Sequence, residues 1–227
     1  MAVESEVETA EAEVRLRDAE NYAEAARKNE ENARSEFKAG VIDETAYLES
    51  VGTRIKATTI VERRRLDVEE TRLSRNAADS SIAAPLVDGR DFVLESYRIE
   101  ERQARLFAKN AEAISGVWKA QFEMGLAHRD RWRPFVAAAE AANAEVTRWS
   151  ELAELRASQL RAAPATERAK QIDKRAKVAI AESRVRSAKD VLDDLRQQAG
   201  KGLIDANEVR NAEATLREAQ LELEQAR

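Results

Sequence analysis

Apolar residues recur along this chain at alternating spacings of three and four, and the cleanest run lies near its C-terminal end. Val209, Leu216 and Leu223 stand seven apart, with Ala212, Ala219 and Ala226 interleaved three residues later. This is the a/d pattern of one helix packed lengthwise on another. The preceding segment repeats it, Val178, Val185 and Leu192 alternating with Ala181, Ala188 and Leu195. Near the N-terminus Ala12, Ala19, Ala26 and Ala33 form one series, and Leu16, Ala23 and Phe37 a second that Glu30 interrupts. Leu48, Val51 and Ile55 then open a returning seam that continues through Thr59, Leu66 and Leu73. A less regular central pair is marked by Phe107, Ala111, Ile114 and Trp118, and then by Phe135, Ala139, Ala142, Val146, Trp149 and Ala153. Alanine at d positions predicts a close approach of the paired helices along a narrow seam.

Each pair turns at a glycine. "FKAGVIDET" at 37–45 is echoed by "GKGLIDANE" at 200–208. Gly40 and Gly202 can adopt the left-handed conformation that closes a helix end. The two following apolar residues, ending in Ile42 and Ile204, are expected to cover the end of the seam, and Asp43 and Asp205 to cap the next helix. "FEMGLAHRDRWRP" aligns on the same pattern, with Phe122, Gly125 and Leu126 in the places of Phe37, Gly40 and Val41, and His128 in that of Asp43. Pro134 suits a first helical turn. Proline-containing breaks fall at 80–92, with Asp91 as the next cap, and at 161–168, with Thr166. The expected fold is all-α: about six helices, near 4–38, 43–79, 91–123, 134–161, 166–198 and 205–227, forming long antiparallel hairpins in an elongated, coiled-coil-like bundle. The corresponding domains are a first hairpin over 1–80, a linker over 81–92, a central hairpin over 93–163 and a C-terminal hairpin over 164–227.

Composition agrees. Charged residues reach 36% while aromatics stay at 5% and glycine and proline number 7 and 3, the usage of long helices. Lys and Arg number 38 against 43 Asp and Glu, a net charge of -5, which argues against nucleic acid as a partner. Arg63, Arg64 and Arg65 stand among Glu62, Asp67, Glu69 and Glu70 and read as an ion-paired helix face. The absence of cysteine excludes disulfides and thiolate chemistry. No run of about 18 apolar residues predicts a transmembrane segment, and the chain as given reads as soluble.

Candidate chemistry is sparse. His128 is the only histidine, so a Ser/His/Asp triad would run through a tip residue with no nucleophile motif beside it. Gly125 occupies the place three residues before it, where a Glu-x-x-His metal motif needs a carboxylate. The acidic run Glu4, Glu6, Glu8, Glu11 and Glu13 reads as a helix-stabilising N-terminal turn. "GKGLID" lacks the strand and the Lys-Ser/Thr ending of a phosphate loop. Trp118 and Trp149 fall on the apolar seam. Trp132, flanked by Arg129, Arg131 and Arg133, is expected at an exposed tip as a partner contact. No catalytic residue, cofactor or metal is predicted.

"ARSEFKAGVIDETAYLES" and "LRQQAGKGLIDANEVRNAEATLREAQLELEQAR" resemble the helical hairpins of bacterial efflux proteins, both the periplasmic membrane-fusion adaptors and the TolC-type outer-membrane factors. "SSIAAPLVDGRDFV" is similar to the "APxDGxV" segment that follows the adaptor hairpin. The resemblance implies hairpin architecture and, for a fragment of a longer protein, a periplasmic or envelope setting. The adaptors' docking tip carries an Arg, a Leu four residues on and a Ser seven beyond. Those places here hold Asn32, Glu36 and Asp43, or Asp194, Gln198 and Asp205, and helix resumes after Asp91 where an adaptor supplies β-rich domains. The function expected is therefore a non-enzymatic spacer or docking domain that meets a protein partner, or another copy of itself, through its seams or tips. The alternative is a ligand- or metal-sensing regulatory bundle built around the irregular central pair, with Gly116, Met124, Gly125 and the tryptophans Trp118, Trp132 and Trp149 interrupting its heptads; no small molecule is otherwise indicated.

Overall fold

The computed structural model describes residues 2–158 and 163–227. The side chain of Glu4, and residues 161–162 of the second proline-containing break, lie outside the described residues. The protein is all-α: among the described residues, α1 runs Ala2–Lys38, α2 Glu44–Ser74, α3 Phe92–Glu123, α4 Arg129–Ala157, α5 Ala163–Gly200 and α6 Ala206–Ala226. Four boundaries differ from the sequence expectation by three residues or more, one being the end of α4 at Ala157 in place of 161. The seam predicts helix to residue 79, yet α2 stops at Ser74, where Arg75 turns left-handed at φ 57°. There the Ser74 hydroxyl donates to the Asn76 carbonyl and accepts from the Asn76 N–H, local bonds that compete with the helix. Helix α4 begins at Arg129, so Pro134 stands inside it; the tip before it fixes the start, as described below. Thr166 is likewise not a cap but a residue within α5.

The hairpins are units of chain, whereas compactness divides the protein into two units that cut across α3, α4 and α5. One comprises Met1–Phe107 with Trp149–Lys170, the other Ala108–Arg148 with Gln171–Arg227.

In the first unit α1 and α2 pack antiparallel along the predicted seam, with Ala12, Ala19 and Ala26 buried opposite Ile55 and Leu66. Arg72–Glu13 at 2.6 Å and Arg65–Glu20 at 2.9 Å tie the two helices. Glu30, which interrupts the apolar series, is paired with Arg54. Helix α2 also buries residues off that seam, among them Ala57, Val61 and Val68, and α3 packs on it through Phe92 and Ile99 against Leu66. Arg63–Glu100 at 2.5 Å fixes the register of that pair.

Between α2 and α3 the chain makes a two-residue hairpin at "VDGR". Val87 and Arg90 exchange backbone hydrogen bonds of 3.0 and 2.9 Å, with Asp88 at φ 49° and Gly89 at φ 77°, the positive pair that a type I′ turn requires. Arg156 of α4, only 2% exposed, holds this connection. Its Nε donates to both Asp91 oxygens at 2.9 Å, and its terminal nitrogens donate to the carbonyls of Ile82 at 2.6 Å and Ala84 at 2.8 Å. Asp91 meanwhile accepts from the N–H of Leu94 at 3.0 Å, so the predicted cap of α3 doubles as the counter-ion of a buried arginine.

In the second unit α4 runs antiparallel to α5 through Arg133–Asp190 at 2.5 Å and Arg186–Glu140 at 2.8 Å. The Arg186 guanidinium holds the Glu140 carboxyl below its ordinary range against the opposing effect of burial. Ser183, fully buried, donates to the Ala137 carbonyl at 3.2 Å, where small residues let the two backbones approach. Helices α5 and α6 close on Leu192, Leu195 and Ala212, with Val209, Ile204 and Leu216 packed against them.

Candidate functional site

The three hairpin tips marked by glycine in the sequence share one backbone geometry. Gly40, Gly125 and Gly202 have φ of 71°, 74° and 71°. Each glycine N–H donates to the carbonyl three residues back: Gly40 to Phe37 at 3.0 Å, Gly125 to Phe122 at 2.9 Å and Gly202 to Ala199 at 2.9 Å. The next N–H reaches five residues back, Val41 to Glu36 at 2.9 Å, Leu126 to Gln121 at 2.8 Å and Leu203 to Gln198 at 3.0 Å. This is the Schellman pattern of paired bonds that satisfies the last helical carbonyls.

Three residues after each glycine comes the residue that opens the next helix. Asp43 accepts from the N–H of Ala46 at 2.8 Å and Asp205 from that of Asn207 at 3.0 Å. His128 holds the equivalent place, exposed, with its carbonyl accepting from the N–H of Arg131 at 3.1 Å. The "GLAH" tip is thus a third copy of the turn, and its spacing from glycine to cap starts α4 at Arg129, upstream of the proline.

The two residues after each glycine do not both cover the seam. Ile42 and Ile204 are half-buried, and Ile204 packs on the Leu192 cluster. Val41, Leu126 and Leu203 point outward, 72%, 75% and 69% exposed. In a Schellman turn this apolar residue commonly packs on the side chain whose carbonyl it bonds. Here those positions are Glu36, Gln121 and Gln198, polar at every tip, so the outward residue has no apolar side chain at the position it bonds.

Trp132 is not the exposed loop residue that the sequence predicts. It lies in the first turn of α4, half-buried, with its ring stacked on Phe122 at 5.3 Å and 16°. The first tip repeats the arrangement, Phe37 on Tyr47 at 5.5 Å and 5°. Tyr47 and Trp132 are both seven residues after their glycine, a spacing that would have identified the clamp in the sequence; the third tip has Val209 there. Trp118 extends the stack in the central hairpin by lying on Phe135 at 5.2 Å, and Trp149 packs beside Tyr97 at 5.7 Å.

The flanking arginines divide by role. Arg133 lies over the Trp132 ring at 5.1 Å and pairs with Asp190; Arg129 lies over Phe122 at 5.8 Å. Arg133 is thus half-buried between α4 and α5, while Arg129 and Arg131 are exposed. Because α4 and α5 are antiparallel, the tips at Gly125 and Gly202 lie at the same end of the second unit. Met124, Leu126 and Leu203, each at least 65% exposed, are presented there.

Chemically, a tip of this kind presents one aliphatic side chain on a backbone whose hydrogen bonds are closed within a few residues. Burying such a side chain in a partner is worth about 1.5–3 kcal/mol. No family model, curated protein or solved structure matches the chain. Among the described residues, no group of three or more His, Asp or Glu side chains is placed to hold a metal ion. No helix among them is long and apolar enough to cross a membrane.

Proposed function

We propose that this chain is a non-enzymatic helical docking domain, in which long coiled-coil-like hairpins act as spacers and the tips engage a protein partner. The observation that carries the reading is the outward Val41, Leu126 and Leu203, one at each tip in the same register, each beside a polar residue where the turn ordinarily supplies an apolar one. An aliphatic side chain left outward three times in the same register fits an external contact. The turn beneath it is ordered by its own hydrogen bonds, so little conformational entropy is lost on binding. His128, the only histidine, fills a cap place at one of these tips, which favours a structural over a catalytic role. The likeness of the tips to efflux-protein hairpins favours a bacterial envelope assembly as the setting.

The chain has no cysteine, which makes site-directed cross-linking direct. Cysteine placed at 41, 126 or 203, and at the exposed mid-helix positions 28 and 217, is coupled to a short photo-cross-linker in cells that produce the protein. The expected result is an adduct of one defined mass from the tips and none from the mid-helix sites, suppressed when the remaining tip residues are serine. Equal adducts from tips and helix flanks, or none from the tips, would refute the reading.

A further inference from the structure

A cavity of about 380 Å³ opens in the first unit between α1, α2, the 77–80 segment and the start of α3. It has no part in the tips. Leu66, Phe92 and Val93 supply an apolar wall, and the hydroxyls of Thr71 and Ser96 also line it. That volume lies within the range of small-molecule sites, and a few convergent polar groups on an apolar wall is their usual make-up.

The charges around it do not cancel. Arg15 is paired with Glu11 at 2.9 Å, Arg64 with Asp67 at 2.9 Å and Arg63 with Glu100 at 2.5 Å. Arg63 also lines the cavity with its Nε buried and without a hydrogen-bond partner, but its charge is met by Glu100. Glu8, Glu70 and Asp79 remain, lining the cavity with no cationic partner among the described residues. The start of α3 adds no charge to the wall.

Glu70 is the unusual member. It is 7% exposed, and one of its oxygens accepts from the N–H of Asp79 at 3.0 Å. Its second oxygen has no hydrogen-bond partner among the described residues. Burial pushes its carboxyl upward; the Asp79 N–H opposes this, and the nearby Asp67 and Asp79 charges add to it. A carboxylate held this way is destabilised unless a positive charge reaches it.

We propose that this cavity binds a small organic cation, an alkyl- or arylammonium, with Glu70 as its counter-ion and Leu66, Phe92 and Val93 against its apolar body. An inorganic ion fits less well: a bare ion would leave most of the volume and all of the apolar wall unused, and the acids form no metal-type cluster.

The test is calorimetric titration of the whole chain with benzylammonium, alongside benzyl alcohol and benzoate as neutral and anionic counterparts. Benzylammonium is expected to bind saturably and the other two not. Glu70→Gln, which keeps an oxygen for the Asp79 N–H, is expected to weaken it at least tenfold. Affinity in the unaltered chain falls as pH is lowered through the raised Glu70 titration, because protonation removes the counter-charge; that dependence is expected to disappear in Glu70→Gln. Ser80→Trp, on the exposed rim of the cavity, is expected to block entry without disturbing the helix seam. The proposal is overturned by saturation with benzoate in place of benzylammonium, or by no saturation at about ten times a millimolar Kd. Full affinity in both Glu70→Gln and Ser80→Trp would overturn it equally.

Discussion

Helix α2 is entered and left by two unlike reversals. At its start the chain turns within Gly40–Asp43, and its bonds lie between Glu36 and Ala46. At its end the connection from residue 75 to 91 contains a two-residue hairpin, yet what holds it is Arg156, 65 residues beyond Asp91 in the chain. The first reversal is a local motif that recurs wherever its residues recur, which is why it appears three times. The second depends on the return of α4, and it occurs once among the described residues. A turn closed by its own backbone leaves its outward side chain free for other use; a connection closed by a distant side chain commits that side chain to the fold.

The difference can be broken most forcefully at Arg156. Arg156→Met leaves Asp91 without its partner and the carbonyls of Ile82 and Ala84 without their donors. The expected loss is about 3–5 kcal/mol, the cost of breaking a buried pair from one side, read from urea unfolding. A loss no larger than that of an exposed arginine would mean that the 75–91 connection is held by its own turns after all.

The tips should yield less. Gly202→Ala places a Cβ where no atom lies within 4 Å, so its cost is that of the positive φ alone, about 1–2 kcal/mol. A larger loss would reveal a packing role and weaken the claim that the tip is self-contained. Asp43→Ala removes the acceptor for the Ala46 N–H and is expected to cost about 1 kcal/mol. Combining Gly202→Ala with Asp205→Ala, which removes the acceptor for the Asn207 N–H of the same tip, shows whether its two halves contribute separately, as the independence of their bonds requires.

The same division explains what could be read from the sequence. The seams and tips were legible because their signals are short-range: apolar residues seven apart, a glycine at a helix end, an aspartate three residues on. Ala12, Ala19, Leu192, Ala212 and Ala219 are buried where the heptads put them. The third tip was legible too, through Phe122, Gly125 and Leu126. What escaped is non-local. Nothing in "AELRASQ" distinguishes Arg156 from the solvated arginines around it, because the three groups it binds lie 65 to 74 residues earlier. Glu70 escaped for a related reason: it is enclosed by α1, the start of α3 and the 77–80 segment together. Trp132 was misread because its arginine neighbours suggested a surface, while the partner that half-buries it, Phe122, lies across the turn.

The smallest expected effect on stability carries the most weight for function. Changing Val41, Leu126 and Leu203 together to serine removes three aliphatic side chains that are each about 70% exposed and make no apolar contact with the residue they bond. Surface changes of this kind ordinarily stay within about 0.5 kcal/mol each, and the Schellman bonds use backbone atoms that serine retains. The unfolding midpoint is therefore expected to stay close to that of the unaltered chain, while the partner cross-link is lost. If the three serines unfold the protein as Arg156→Met does, the outward residues are packed more closely than their exposure implies, and the tips are structural corners. If stability and cross-linking both persist, the contact surface lies elsewhere on the helices. Only unchanged folding with lost docking separates a residue kept for the fold from one kept for a partner, and it can be asked most cleanly where the turn beneath needs no side chain to hold it.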